Sequence, residues 1–310
     1  MPAVHIPQDA ETLPEYQGLA GRLEEAGYDR MWIGEVNDVD AVSAATLAAV
    51  GTERARIGLF LNTFTRAPST LAMTASTLAW LAPGRAQIAL GVGSPLFVER
   101  WDGIPYHQLY DRLSDVLRFL RVALAGGRVR EQFETFQSDG FALGTRPDDP
   151  PLLLVAACGP RALALAAREA DGVVLNWVTP GDIEHIEPLP EDRGAVSLIV
   201  PVCPTADREV MERTMRPVVA TYLDVPAYAQ QQRRLGRASA LEQMWAAWAA
   251  GDRDAARTAL PFAVLEDLVV WGEPAACRAR LAETERHTGA GVIATFFPPP
   301  GLRFSDVALP

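Results

Sequence analysis

The sequence predicts an α/β protein, a (β/α)8 TIM barrel, on three observations. Eight short apolar runs of strand length alternate with helical patterns along the chain. No linker-like stretch divides it, so one domain over residues 1–310 is expected. Residues 56–95 form a complete strand–loop–helix–turn–strand unit, the repeat from which parallel sheets are built. An open doubly wound sheet is the alternative. Against it, Gly91-Val92-Gly93 follows the fourth strand and Leu96 stands where a dinucleotide fingerprint needs glycine.

In order, Val4-His5-Ile6 reads as a short first strand. Residues 12–26 read as a helix, with Leu13, Tyr16, Leu19, Ala20 and Leu23 on one face. Gly27-Tyr28-Asp29 turns into a second strand over 30–33, and an alanine-rich helix spans 40–52. The central unit supplies a strand over 57–61, Pro68 in a first helical turn, a helix over 69–81, a stop at Pro83-Gly84-Arg85 and a strand over 86–90. A periodic helix covers 108–124. Residues 128–143 break the rhythm and predict a hairpin-like surface excursion after the fourth helix. Strands follow over 152–156, 173–175 and 196–200, with a helix over 162–170 between the first two. Residues 209–268 read as mostly helical, broken at Pro217, Pro226, Gly251 and Pro261: extra helices before the last strand. A helix from Glu273-Pro274 to His287 and a strand over 291–296 complete the pattern.

Composition narrows the function. The chain is 49% hydrophobic and 22% charged, an ordinary globular balance. A net charge of −11 argues against nucleic acid, whose binders present a basic face. No apolar run is long enough for a membrane span, and the first residues lack the flank and core of a signal peptide. Cys158, Cys203 and Cys277 lie far apart without zinc or disulfide spacing, so no metal is expected, and a reducing cytoplasm is.

The polar corners follow strand carboxyl ends, the ligand-binding edge of such folds. Asn62 and Arg66 stand on the first, Gly93 and Ser94 on the second. At Gly159-Pro160-Arg161, a strand end, a glycine and a helix-starting proline together make an anion site or an ordinary corner. Asn62 reads as a turn former or a ligand, and Arg66 as a structural cation or an anion ligand. Cys158 reads first as a small core residue.

In this order, L-N-x-F-T-R-x-P, P-G-R before a strand, G-x-G-S-P and G-P-R-x-L-x-L-A then A-D-G resemble the bacterial-luciferase-like superfamily. The branch most similar is that of coenzyme F420-dependent oxidoreductases. The resemblance runs over about residues 19–296. It implies a barrel holding a deazaflavin, with hydride transfer to or from an organic substrate and a homodimeric state. The resemblance assigns the cofactor phosphate to the corner at Cys158, Gly159, Pro160 and Arg161. Arg66 would meet the cofactor's anionic tail. A bulge with a non-proline cis peptide at Gly58-Leu59-Phe60 would back the ring, although the chain from Gly58 to Asn62 is one residue shorter than the usual form. Asn62, Gly93 and Ser94 complete the cofactor set, and Trp177, in L-N-W-x-T-P, would wall the substrate. The family's histidine after the second strand is missing. Glu35-Val36 stands there, which leaves Glu35 and His107, then Tyr106 and Glu99, as proton carriers. The short loop over 35–40 would leave room for bulky substrates. Within the same fold, a reduced-FMN-dependent monooxygenase is the alternative, and a non-catalytic flavin-binding relative the second. Trp245 and Trp248, three apart on a helix, read as core or dimer contact.

Overall fold

The computed structural model describes residues 2–7, 13–37 and 39–309. One compact unit spans 3–174 with 188–191. It begins with β1 (Ala3–His5), α1 (Tyr16–Glu25), β2 (Arg30–Ile33), α2 (Ala41–Val50) and β3 (Arg56–Asn62). Then come α3 (Pro68–Leu81), β4 (Ala86–Gly91), α4 (Leu109–Leu124) and a hairpin of β5 (Val129–Gln132) and β6 (Gln137–Phe141). It closes with β7 (Leu152–Ala156), α5 (Pro160–Glu169) and the start of β8 (Gly172–Asn176). The second unit spans 175–187 and 192–310. It holds β9 (Val196–Cys203), α6 (Arg208–Asp224), α7 (Pro226–Arg234), α8 (Ala238–Ala249), α9 (Arg253–Ala259) and α10 (Phe262–Leu268). After these come β10 (Val270–Trp271), α11 (Pro274–Thr288), β11 (Gly291–Phe296) and α12 (Phe304–Ala308).

The strands run in the order β9-β11-β1-β2-β3-β4-β7-β8, and β8 pairs with β9 to close an eight-stranded parallel barrel. The eight ring strands are those the apolar runs predict. β10 only extends β9, through Val270 opposite Val202.

Local chemistry accounts for most boundaries. Asp40 caps α2 by accepting the Ser43 N–H at 2.8 Å. The alanines of α2, at 41, 44, 45, 48 and 49, are all buried. Pro68 occupies the first turn of α3. At the amino ends of the strands, Glu24 accepts the N–H groups of Glu53, Arg54 and Ala55 at 3.1, 2.7 and 2.6 Å. Burial pushes the Glu24 carboxyl up, but those three donors outweigh it and hold it below its ordinary value. Arg85 pins the turn before β4 by donating to Ala55 O at 2.6 Å.

Four features differ from the sequence reading. The first helix is shorter, with a 3-10 turn at Leu13–Glu15 ahead of α1, and its expected first residue, Thr12, lies outside the described residues. Pro217 does not break α6, which runs through it. A π-helical turn, Leu96–Trp101, follows β4 where no periodicity marks one. Finally, β3 pairs with β2 from Arg56 to Leu59 and with β4 from Ile57 to Asn62 without a register shift. The bulge implied at Gly58-Leu59-Phe60 is therefore not present in the pairing. The missing residue explains this, because a bulge needs one extra residue on its strand.

The excursion over 128–143 is the expected hairpin. Phe119 of α4 packs against Phe133, Phe136 and Phe141. The buried Asp115 carboxylate accepts the Thr135 N–H and hydroxyl, both at 2.8 Å. Among the described residues no helix is long and apolar enough to cross a membrane.

Candidate active site

At the carboxyl ends of β3 and β4 lies a partly open cavity of about 120 Å³. Glu35, Phe60, Asn62, Gly93, Phe97 and Ala156 are among its lining residues. A single water needs about 10–15 Å³ of such space, so the cavity has room for more than one water.

Period-two alternation decides what reaches it. Gly58, Phe60 and Asn62 share one face of β3, while Ile57, Leu59 and Leu61 are buried on the other. Gly58 is a glycine because its strand neighbour Trp32 fills the space, and a Cβ there would collide with the indole. Phe60 stacks on Trp32, centroids 4.6 Å apart. The sequence grouped Gly58 and Leu59 with the cofactor, but neither lines the cavity. Gly58 leaves room for Trp32, and Leu59 is buried on the opposite face of β3.

Asn62 is the informative residue. It is 6% exposed, and its Oδ1 accepts the Phe64 N–H at 2.8 Å. Its Nδ2 meets no hydrogen-bond partner. Gly93, at φ +74°, makes room for that amide, because a Cβ at Gly93 would collide with it. The hydroxyls of Thr63 and Thr65 are likewise buried without partners. Buried polar groups are normally paired, and of these three only Asn62 lines the cavity, so it brings an unspent donor to it.

Glu35 lines the cavity and is tied to Arg66, whose Nε–H donates to Oε1 at 2.7 Å. Arg66 also meets Asp40 at 2.7 Å. Burial lowers the Arg66 pKa, but the two carboxylates outweigh it and raise the group above its ordinary value. Arg66 therefore spends its charge on Glu35 and Asp40 instead of presenting it to a cofactor tail. Paired in this way, Glu35 offers acceptor oxygens to the cavity.

Sequence reasoning passed over His5 as a site residue. Its half-buried ring meets Phe60 edge-on at 6.3 Å, and its Nε2 lies against Gly34. Burial pushes its imidazole down to about 4, so it is neutral at physiological pH. The available signal was its inward register opposite Trp32 on β1.

The remaining candidates divide. Tyr106 donates to Gly93 O at 2.9 Å, and burial, then the nearby Cys158, push its pKa up to about 12. It braces the glycine and is a poor acid. His107 and Glu99 are exposed and do not line the cavity, and Ser94 lends its carbonyl to the Val98 N–H. Gly159 precedes α5, led by Pro160, and a Cβ built on Gly159 would meet open space. The first N–H groups of α5 thus border an open region. Arg161 lies over the Tyr110 ring at 4.1 Å and reaches Asp111 at 3.4 Å. Cys158 is half-buried.

In the second unit, Trp177 adopts φ +57°, uncommon for a bulky side chain. Its carbonyl accepts from Gln231 at 3.3 Å and Gln232 at 2.7 Å. Its ring packs on Tyr222 at 4.9 Å, inside an apolar cluster with Met211, Met215 and Leu223. Trp245 and Trp248 pack partly against the same cluster.

Fold and cavity together define a (β/α)8 barrel with a partly open cavity at the carboxyl ends of β3 and β4. The model of the luciferase-like monooxygenase family matches residues 2–291, and the chain belongs to that family. It is 30% identical to the 5,10-methylenetetrahydromethanopterin reductase of Archaeoglobus fulgidus over 163 residues, 52% of this chain and 48% of the relative. The match thus spans about half of that relative's length. The chain is also 30% identical to the F420-dependent hydroxymycolic acid dehydrogenase of Mycobacterium tuberculosis over 166 residues, 49% of this chain and 46% of that one. Among solved structures, the coenzyme F420-dependent tetrahydromethanopterin reductase from Methanopyrus kandleri shares the fold. Its TM-score is 0.78 at 21% identity, covering 99% of this chain and 95% of that one.

Proposed function

We propose that this chain is a coenzyme F420-dependent oxidoreductase that exchanges a hydride with an organic substrate. One observation carries the binding part: the buried, unpartnered Nδ2 of Asn62 beside a cavity that glycine keeps open. A heterocycle edge rich in carbonyl and ring-nitrogen acceptors satisfies such a donor. The relatives named for F420 favour the deazaflavin over FMN. When bound, a deazaflavin supplies a hydride donor or acceptor at the ring carbon that replaces flavin N5.

The chain's own residues hold the ring and exclude water. Asn62 donates to the ring edge, Gly93 admits it, and Phe60 and Phe97 give apolar walls. The open start of α5 at Gly159 receives the phosphate. Glu35, held by Arg66, is placed to accept a proton or hydrogen bond at the cavity mouth. The active form is a homodimer in the cytoplasm.

Fluorescence titration with oxidised F420 beside FMN tests this reading. F420 is expected to bind more tightly. Equal or reversed affinities would favour the FMN-dependent monooxygenase, which shares the barrel, and binding of neither would remove the redox assignment.

A further inference from the structure

The arginine expected to meet an anion, Arg66, is matched by two carboxylates. Arg112, at the start of α4, is arranged in the opposite way. Its Nε–H donates to the carbonyl of Thr63 at 2.8 Å. Its guanidinium carbon lies 5.8 Å from the Phe64 ring centroid and 5.1 Å from that of Phe136. Such stacking and a single anchored edge fix the plane of the group.

No carboxylate among the described residues lies within ion-pair distance of Arg112. Of the two acids on its helix, Asp111 meets Arg161 and Asp115 turns its carboxylate to Thr135. The terminal nitrogens of Arg112 have no acceptor among the described residues, and they are not sealed from solvent. Burial lowers the pKa of the group, with the Asp115 field partly offsetting it. It remains a cation at physiological pH. The Thr63 carbonyl it holds is next in the chain to Asn62, whose unspent amide faces the cavity. In a chain of net charge −11, a planar cation with two free N–H edges stands out at this corner.

We propose that Arg112 binds an oxyanion, a phosphate or a carboxylate, of a molecule held at the Asn62 corner. This assignment rests on the ring-binding reading above. Its chemistry is that of a guanidinium presenting paired N–H donors to two oxygens of one group. The oxyanion comes either from the cofactor's side chain or from a separate anionic substrate.

The test titrates wild type and Arg112→Gln with F420 and with 5-deazariboflavin, which has the ring but neither phosphate nor carboxylate. Arg112→Gln is expected to weaken F420 by about tenfold or more and to leave the neutral ring unchanged. In a second arm, inorganic phosphate is titrated onto protein loaded with the neutral ring. Phosphate binding lost only in the variant, with F420 unaffected, assigns the oxyanion to the substrate. Equal loss of both ring compounds would show that Arg112 merely props Phe64 and Phe136, and would overturn the proposal. So would no dependence on Arg112 in either arm. Should wild type bind neither deazaflavin, FMN and riboflavin form the same charged and neutral pair. If those also fail, the ring-binding reading falls, and phosphate titration of the unloaded protein still judges Arg112: no difference between wild type and variant overturns its role.

Discussion

Asn62 and Trp177 each bury an N–H with no acceptor, yet their surroundings differ. Asn62, in the first unit, borders a cavity and has a glycine beside its amide. Trp177, in the second, is packed on Tyr222 among methionines and leucines, and its carbonyl is clamped by two glutamines. An unpaired donor points to a ligand only where there is space for an acceptor beside it. At Trp177 the apolar contacts of the indole compensate for the lost hydrogen bond, which costs about 1–3 kcal/mol.

The largest expected effect breaks the comparison if it fails. Trp177→Ala removes a buried indole and should cost about 3–5 kcal/mol of stability. Denaturant unfolding measures this, with F420 affinity unchanged in the folded fraction. A variant of native stability with weakened cofactor or substrate binding would instead make Trp177 a site wall, as its motif suggested.

A second donor set borders open space at Gly159. Gly159→Asp puts a carboxylate where the phosphate is placed and should weaken F420 by about 2–4 kcal/mol. Aspartate is also a good helix cap, so circular dichroism should stay native. Unchanged affinity would move the phosphate elsewhere.

The third effect concerns His5. Its folded pKa of about 4 lies below its ordinary 6.5, so the unfolded chain takes up the proton first. Stability is therefore full above about pH 6.5 and is lost as pH falls toward 4. Since the ring is only half-buried, the loss should be about 2 kcal/mol, below the full linkage value. Urea unfolding at pH 7 and pH 4.5 should show it, and His5→Phe should remove most of it. A variant with the same pH dependence would place the titration elsewhere.

Strand and helix positions were legible because apolar periodicity follows burial on one face. Pro217 misled because a proline break is only a local rule, and α6 is held by packing along its whole length. The bulge at Gly58 came with the resemblance, while the count of residues to Asn62 already argued for a continuous strand. The Glu35–Arg66–Asp40 cluster was not legible. Arg66 lies 31 residues from Glu35 and 26 from Asp40, and the reach of its side chain ties it to both. Arg112 escaped notice because on α4 it reads as one more solvated arginine. The Thr63 carbonyl and Phe64, with Phe136 from the hairpin, make it distinct.

The most direct test of the central claim is F420 titration of Asn62→Asp. Aspartate keeps the oxygen that accepts the Phe64 N–H and replaces the unpaired amide with a second acceptor. Binding should weaken by about 1–3 kcal/mol while the thermal midpoint stays near that of wild type. Unchanged or tighter binding by a folded Asn62→Asp protein would contradict the account, because the Asn62 amide would then not be the group that meets the ring.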